Sequence, residues 1–218
     1  MSSAPPPSPG VLLAFEGGDG AGKSTQARLL VAWLQSVGYA VTLTREPGGT
    51  ELGARIRELV LGVGEICAKA EALLFAADRA QHVDTLIGPA LRRGDVVVTD
   101  RYVDSSIAYQ SAGRDMDAGE IARLSGWATG WLRPVLTVVL DVAPPLGRAR
   151  RGSVHDRLEA EPDSFHAAVR QRFLDLAGTD PARYLVVDGG LDPAVISGQV
   201  LERLQPLLPT VGASRRRP

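Results

Sequence analysis

Asparagine is missing from this chain, and lysine occurs only at Lys23 and Lys69. Neither lysine lies in an Asn/Thr-Lys-x-Asp segment, which excludes the usual guanine-reading switch of a GTPase. Cysteine is almost as scarce. With Cys67 alone, no internal disulfide and no cysteine metal cluster can form. Its setting, between Ile66 and Ala68, predicts a small, partly buried side chain rather than a nucleophile. The histidines, His82, His155 and His166, lack the spacing of zinc ligands. A formal net charge of -1 provides no basic field for nucleic acid and no polybasic patch for a membrane. Neither a secretory signal nor a membrane span is expected, so the expected compartment is the cytoplasm.

Glycine, by contrast, is concentrated where it matters. Gly17-Gly18-Asp19-Gly20-Ala21-Gly22-Lys23-Ser24 follows the apolar run Val11 to Phe15 and precedes an amphipathic stretch from Thr25 to Leu34. Strand, glycine-rich loop and helix in that order fit a phosphate-binding P-loop. Its glycines let successive N–H groups turn inward at a helix N-terminus, a favourable place for an anion. Gly17, Gly18, Asp19, Gly20, Ala21, Gly22, Lys23, Ser24 and Thr25 are therefore the residues expected to bind a nucleoside triphosphate. Lys23 would reach the outer phosphates, and the Ser24 hydroxyl would hold Mg2+.

Further apolar runs at 39–44, 95–99, 135–140 and 184–187 read as strands, with helical patterns between them. The helical patterns cover 51–61, 69–93 (interrupted near Gly88-Pro89), 117–131, 163–177 and 193–207. This alternation predicts an α/β fold: a P-loop NTPase three-layer sandwich with a five-stranded, mostly parallel sheet flanked by helices. One domain, 11–209, accounts for it, between a disordered Ser/Pro-rich leader at 1–10 and a basic tail at 210–218. Ligands collect at the carboxyl ends of such strands. Arg45-Glu46-Pro47, Asp100-Arg101-Tyr102, Asp141 and Asp188 occupy those positions. Asp100, ending an apolar strand, is placed to hold Mg2+ directly or through water.

Phe15 to Gln26, Thr44-Arg45-Glu46-Pro47-Gly48-Gly49-Thr50, Asp100 to Gln110 and Asp156-Arg157-Leu158-Glu159 together resemble the bacterial thymidylate kinases. The likeness runs in order from about Val11 to Leu207. It implies transfer of the ATP γ-phosphoryl group to thymidine monophosphate (dTMP), with Mg2+. An acceptor that is already a phosphate needs charge cancellation and alignment more than a base, which suits arginine. By resemblance Arg101 bridges the two phosphates, Arg57 and the Arg45-Glu46-Pro47 loop hold the acceptor, and Asp19 meets the sugar hydroxyl. Phe75 is expected to stack on the base and Arg79 to meet a thymine carbonyl. Ser105, Ser106 and Gln110 are expected at the remaining base edge, and Tyr109 beside the sugar.

Gly20 stands where some relatives carry a P-loop arginine, which implies that an arginine of a lid, about 147–160, supplies the missing charge. Arg148, Arg150 and Arg151 are the candidates, with Arg157 assisting; Arg151 is taken as the catalytic one. The resemblance also implies a homodimer, for which the apolar 73–74 and 83–86 region is the candidate surface. Two other readings stay open: a deoxynucleoside kinase using Glu16 or Asp19 as base, and a catalytically silent nucleotide-binding module.

Overall fold

Five short, largely apolar runs, each ending in a charged residue, form the sheet. The computed structural model describes residues 10–62, 64–114, 116–151 and 156–209. The expected leader up to residue 9, the basic tail and part of the lid, with His155, lie outside the described residues. The strands are β1 (Val11–Glu16), β2 (Val41–Arg45), β3 (Val96–Asp100), β4 (Leu136–Asp141) and β5 (Tyr184–Asp188). They lie in the order β2-β3-β1-β4-β5, every pair parallel.

The connecting helices are α1 (Lys23–Ser36), α2 (Glu51–Gly62), α3 (Ala68–His82), α4 (Gly88–Arg93) and α5 (Val103–Gly113). After them come α6 (Ala118–Thr129), α7 (Pro144–Arg150), α8 (Asp163–Thr179) and α9 (Pro193–Leu204). Alternation along β1 separates the layers. Leu13 and Phe15 join Leu30 and Leu34 of α1 and Ile196 and Val200 of α9 in one core. Leu12 and Ala14 face the opposite core, with Ile87, Ala90 and Tyr102. A third cluster, including Tyr109, Val139, Phe165 and Phe173, packs α5 and α8 against β4. Burial on both faces explains why the strands are nearly continuous apolar runs.

The structure differs from the sequence expectation at several points. Helix α5 was not anticipated, because residues 104–110 are all buried and leave no polar stripe for periodicity to reveal. Helix α7 was not anticipated either; it begins at Pro144-Pro145, since proline is tolerated where a helix N–H has no partner. The expected break near Gly88 starts earlier, in a π-helical turn at Val83–Ile87. Pro89 has no N–H for the carbonyl four residues back, and the wider turn takes up the mismatch. Helix α6 stops at Thr129 because Gly130 and Trp131 both turn to positive φ. Cys67 is exposed rather than partly buried, at the start of α3.

Candidate active site

The loop between β1 and α1 turns on three glycines of positive φ: Gly17 at 129°, Gly20 at 78° and Gly22 at 96°. A Cβ at Gly20 would lie 2.1 Å from the Gly147 carbonyl oxygen, and one at Gly147 only 2.5 Å from the Asp19 carbonyl oxygen. The loop is thus pressed against α7, and glycine is required on both sides of the contact. Gly22 caps α1, so its first turn, from Lys23 to Thr25, borders an open cavity with Asp19 and Gly20. Lys23 lies across the loop, its Nζ donating to the carbonyls of Gly17 at 3.1 Å and Gly18 at 2.8 Å. Ala21 faces the core instead. Burial, with Arg101 adding to it, lowers the Lys23 ammonium to about 8, against the pull of Asp19, Asp100 and Glu16.

Arg101 follows β3 with φ at 70°, an uncommon conformation for a residue with a side chain. Its backbone N–H donates to Phe15 O at 2.9 Å, anchoring it to β1. The guanidinium donates to Gly17 O (3.1 Å), Ser105 Oγ (2.9 Å), Asp19 Oδ1 (2.5 Å) and Tyr109 OH (3.1 Å). Tyr109 OH donates in turn to Asp19 Oδ2 at 2.9 Å. Burial alone would raise the Asp19 carboxyl; Arg101 and Lys23 outweigh it and hold the group well below the usual carboxylate range. Beneath this cluster, Glu16 is wholly buried. It accepts from the N–H groups of Tyr102 and Ser105 and from the Ser105 hydroxyl, so it fixes the start of α5 to the end of β1. Burial and the nearby Asp104 carboxyl push Glu16 up to about 8.

Beside the anion cavity lies a narrower cleft of about 110 Å3. Asp19, Glu46, Arg57 and Arg101 border both spaces. Phe75 supplies the apolar wall, and Ser105, Ser106, Tyr109 and Gln110 line the α5 side. Arg79 is 2% exposed. It donates to Glu46 (2.7 Å), Ser106 (3.1 Å), Ser125 (3.4 Å) and Tyr102 O (3.1 Å), which leaves one N–H on Nη2. The Ser105 hydroxyl is already engaged, accepting from Arg101 and donating to Glu16. Arg57 is tied to Pro47 O at 3.2 Å, its pKa lowered by burial and by Arg45. Arg45 borders the anion cavity, and Pro47 lines the cleft after a cis peptide bond with Glu46.

Four contributors had no strong signal in the sequence. His82 is buried between Glu46 Oε1 (2.9 Å) and Thr44 Oγ1 (2.6 Å), behind the Glu46-Pro47 turn. Asp78, also buried, accepts from the Gly48 N–H at 3.2 Å, and its Oδ2 has no partner. Burial, then Glu46, pushes Asp78 up to about 6. Glu71 joins Gln110 to Arg157 and Arg114. Gly147 receives the P-loop. Each partner lies far away in sequence, so local spacing carries no sign of the pairing.

The arginines expected in the lid separate. Arg150 borders the anion cavity and donates to Gly189 O at 2.6 Å. Arg151 turns to Glu159 O at 3.3 Å, and Arg148 pairs with Asp163. Arg157 points away from the P-loop, to Glu71 and to Val60 O. Asp141 is engaged with Arg170 through two bonds, at 2.6 and 2.8 Å, and Asp188 accepts from the Gly190 N–H.

The Ser24 hydroxyl donates to Asp100 Oδ2 inside the anion cavity, bringing two hard oxygen donors together. Among the described residues no group of three or more His, Cys, Asp or Glu side chains is placed to hold a metal. An ion at Ser24 and Asp100 would keep water or phosphate ligands, a donor set that fits Mg2+. The arrangement as a whole can hold a polyphosphate at the P-loop and a flat anionic ligand in the cleft, with Arg101 between them.

Comparison with known proteins gives the family. A family model described as thymidylate kinase matches residues 15–198. The thymidylate kinase of Leifsonia xyli subsp. xyli (strain CTCB07) is 55% identical over 206 residues, 93% of this chain and 98% of that protein. That of Cutibacterium acnes (strain DSM 16379 / KPA171202) is 56% identical over 201 residues, covering 91% and 98%. The crystal structure of thymidylate kinase from Ehrlichia chaffeensis superposes with a TM-score of 0.75 at 31% identity, covering 91% of this chain and 100% of that one.

Proposed function

The chain belongs to the thymidylate kinase family and phosphorylates dTMP to dTDP with ATP as donor; we propose that it does so where the anion cavity meets the cleft. The observation that carries this assignment is the position of Arg101, which borders both spaces and is braced by Asp19, Tyr109, Ser105 and Gly17. A braced guanidinium there meets charge on the transferred group without reorganising. Lys23 and the first turn of α1 receive the triphosphate of ATP. Ser24 and Asp100 would hold Mg2+, which when bound offsets phosphate charge.

In the cleft, dTMP lays its base against Phe75, its phosphate toward Arg57, Arg45 and Arg101, and its sugar beside Asp19 and Tyr109. Arg150 is the lid residue best supported for the donor phosphates, since it borders the P-loop cavity; Arg151 braces the lid through Glu159.

A base for a neutral hydroxyl is poorly provided. Asp19 is strongly acidic between Arg101 and Lys23, and Glu16 borders neither cavity. The deoxynucleoside kinase reading is therefore disfavoured. We further assign the reaction to the cytoplasm and its partner to a second copy of the chain. Leu73 on α3 and Trp127 on α6 support that pairing, being 59% and 77% exposed on helices that pack together. Sedimentation velocity showing only monomer at micromolar concentration would refute it.

The test of function is ADP release with ATP and Mg2+, offering dTMP, thymidine and other nucleoside monophosphates in parallel. Strong preference for dTMP is expected. Turnover of thymidine alone would move the assignment to nucleoside phosphorylation, and no turnover with any acceptor would leave a silent binding module.

A further inference from the structure

Gln110 on α5 and Glu71 on α3 meet behind the wall of the cleft, each 1% exposed. Gln110 Nε2 donates to Glu71 Oε1 at 2.9 Å. Gln110 Oε1 is buried without a hydrogen-bond partner, in a residue that lines the cleft. The two ends of a side-chain amide have the same shape, so its neighbours decide which end faces a ligand. Here the neighbour is a carboxylate flanked by the guanidiniums of Arg157 and Arg114. A carboxylate only accepts hydrogen bonds. It holds the NH2 end to itself and leaves the carbonyl end for whatever enters the cleft. Arg79, in the same lining, contributes the opposite kind of group, one uncommitted N–H.

We infer that Glu71 is a specificity-determining positioning residue: by fixing Gln110 as an acceptor beside the Arg79 donor, it selects pyrimidines with an N3–H next to a C4 carbonyl. This rests on the reading of the cleft as the site of the thymine base. Thymine and uracil present a donor at N3 and an acceptor at C4. Cytosine presents the reverse, so donor would face donor and acceptor would face acceptor, and such unpaired buried groups are what reject a wrong base. Glu71 touches no substrate. It also fastens the C-terminal end of the lid, because Arg157 donates to Val60 O at 3.0 Å and Arg114 pairs with Glu161 at 2.8 Å. The test must separate selectivity from that bracing.

The full-length protein is assayed with ATP and Mg2+ on dTMP and on the monophosphate of 5-methyldeoxycytidine, which differ only at N3 and C4. In Glu71→Gln the neighbour can donate as well as accept, so Gln110 is no longer held one way round. The ratio of kcat/KM values between the two substrates is expected to fall by about 10–100-fold. The double variant Glu71→Gln, Gln110→Glu exchanges the amide and the carboxylate; position 110 again turns only acceptors to the cleft, and the ratio is expected to recover. A purely structural role would lower both substrates together and leave the ratio unchanged in Glu71→Gln, which overturns the inference. If that single variant fails to fold, the double variant decides alone: a retained ratio supports the inference, and a collapsed ratio with dTMP still turned over rejects it. Wild-type protein that does not turn over dTMP would instead reject the functional reading, whatever Glu71 does.

Discussion

Replacing Arg101 by lysine separates what the guanidinium does for the fold from what it does for the reaction. The side chain makes four hydrogen bonds, to Gly17 O, Ser105 Oγ, Asp19 Oδ1 and Tyr109 OH. Lysine keeps the charge but offers a compact ammonium that meets only one or two of these acceptors. Asp19 is not orphaned by the change, because Tyr109 OH still donates to its Oδ2 at 2.9 Å. The loss in stability is then that of about two imperfectly replaced polar contacts, about 1–3 kcal/mol. For a domain of this size that is a drop in Tm of about 2–12 °C.

The reaction loses more than the fold does. A preorganised donor aimed at developing charge is worth about 100–1000-fold in kcat, and the guanidinium borders both cavities at once. Coupled ADP release at saturating ATP and dTMP, alongside calorimetry, measures the two effects on one sample. A folded variant with kcat within about fivefold of wild type would refute the assignment of Arg101. A collapse in Tm beyond about 15 °C would refute the claim that Tyr109 keeps Asp19 satisfied.

Lys23, lowered to about 8 by burial, carries its charge in the free protein only below that pH. kcat/KM for ATP should therefore fall above about pH 8 while kcat holds to higher pH, because bound triphosphate favours the charged form; a profile flat to pH 9.5 would contradict this. Gly147→Ala places a methyl 2.5 Å from the Asp19 carbonyl oxygen; a rise in KM for ATP of about tenfold or more is expected, and unchanged ATP kinetics would show that the loop yields freely. Asp78, with its pKa raised from 3.8 to about 6, binds more proton folded than unfolded within that window, so its contribution to stability declines as pH rises through it. Asp78→Asn should remove that decline, and Tm curves of variant and wild type that run parallel from pH 4 to 7 would count against it.

The sheet and the P-loop were legible because their signals are local: an apolar run followed at fixed spacing by glycines, lysine and serine. The strand-end residues were legible through the rule that ligands gather at carboxyl ends, and Arg101 and Asp100 are found there. Two things hid the rest. Helix α5 carries Asp104, Ser105, Ser106 and Gln110 as buried polar groups, each engaged by a partner more than 20 residues away, so its sequence looks like a loop. The support behind the Glu46-Pro47 turn joins Thr44, Glu46, Asp78, Arg79 and His82 across two elements, and a lone histidine in a sequence says nothing about a carboxylate 36 positions earlier. The separation of Arg150 from Arg151 depends on where α7 ends, and sequence patterns locate helix ends poorly.

The parallel pairing of β1, β2 and β3 sets Phe15, Arg45 and Asp100 on a single rung. Every group at this end of the sheet is consequently indexed by strand length counted from the opposite end. Losing or gaining one residue within β3 would move Asp100 and Arg101 by about 3.3 Å and turn each to the other side of the sheet. Side-chain replacements within these strands leave that count intact, whereas a change of length in any one of them puts the whole reaction centre out of step. Insertions and deletions should therefore be tolerated only where the count does not pass, such as between α2 and α3, and a scan of single-residue deletions would map that boundary directly.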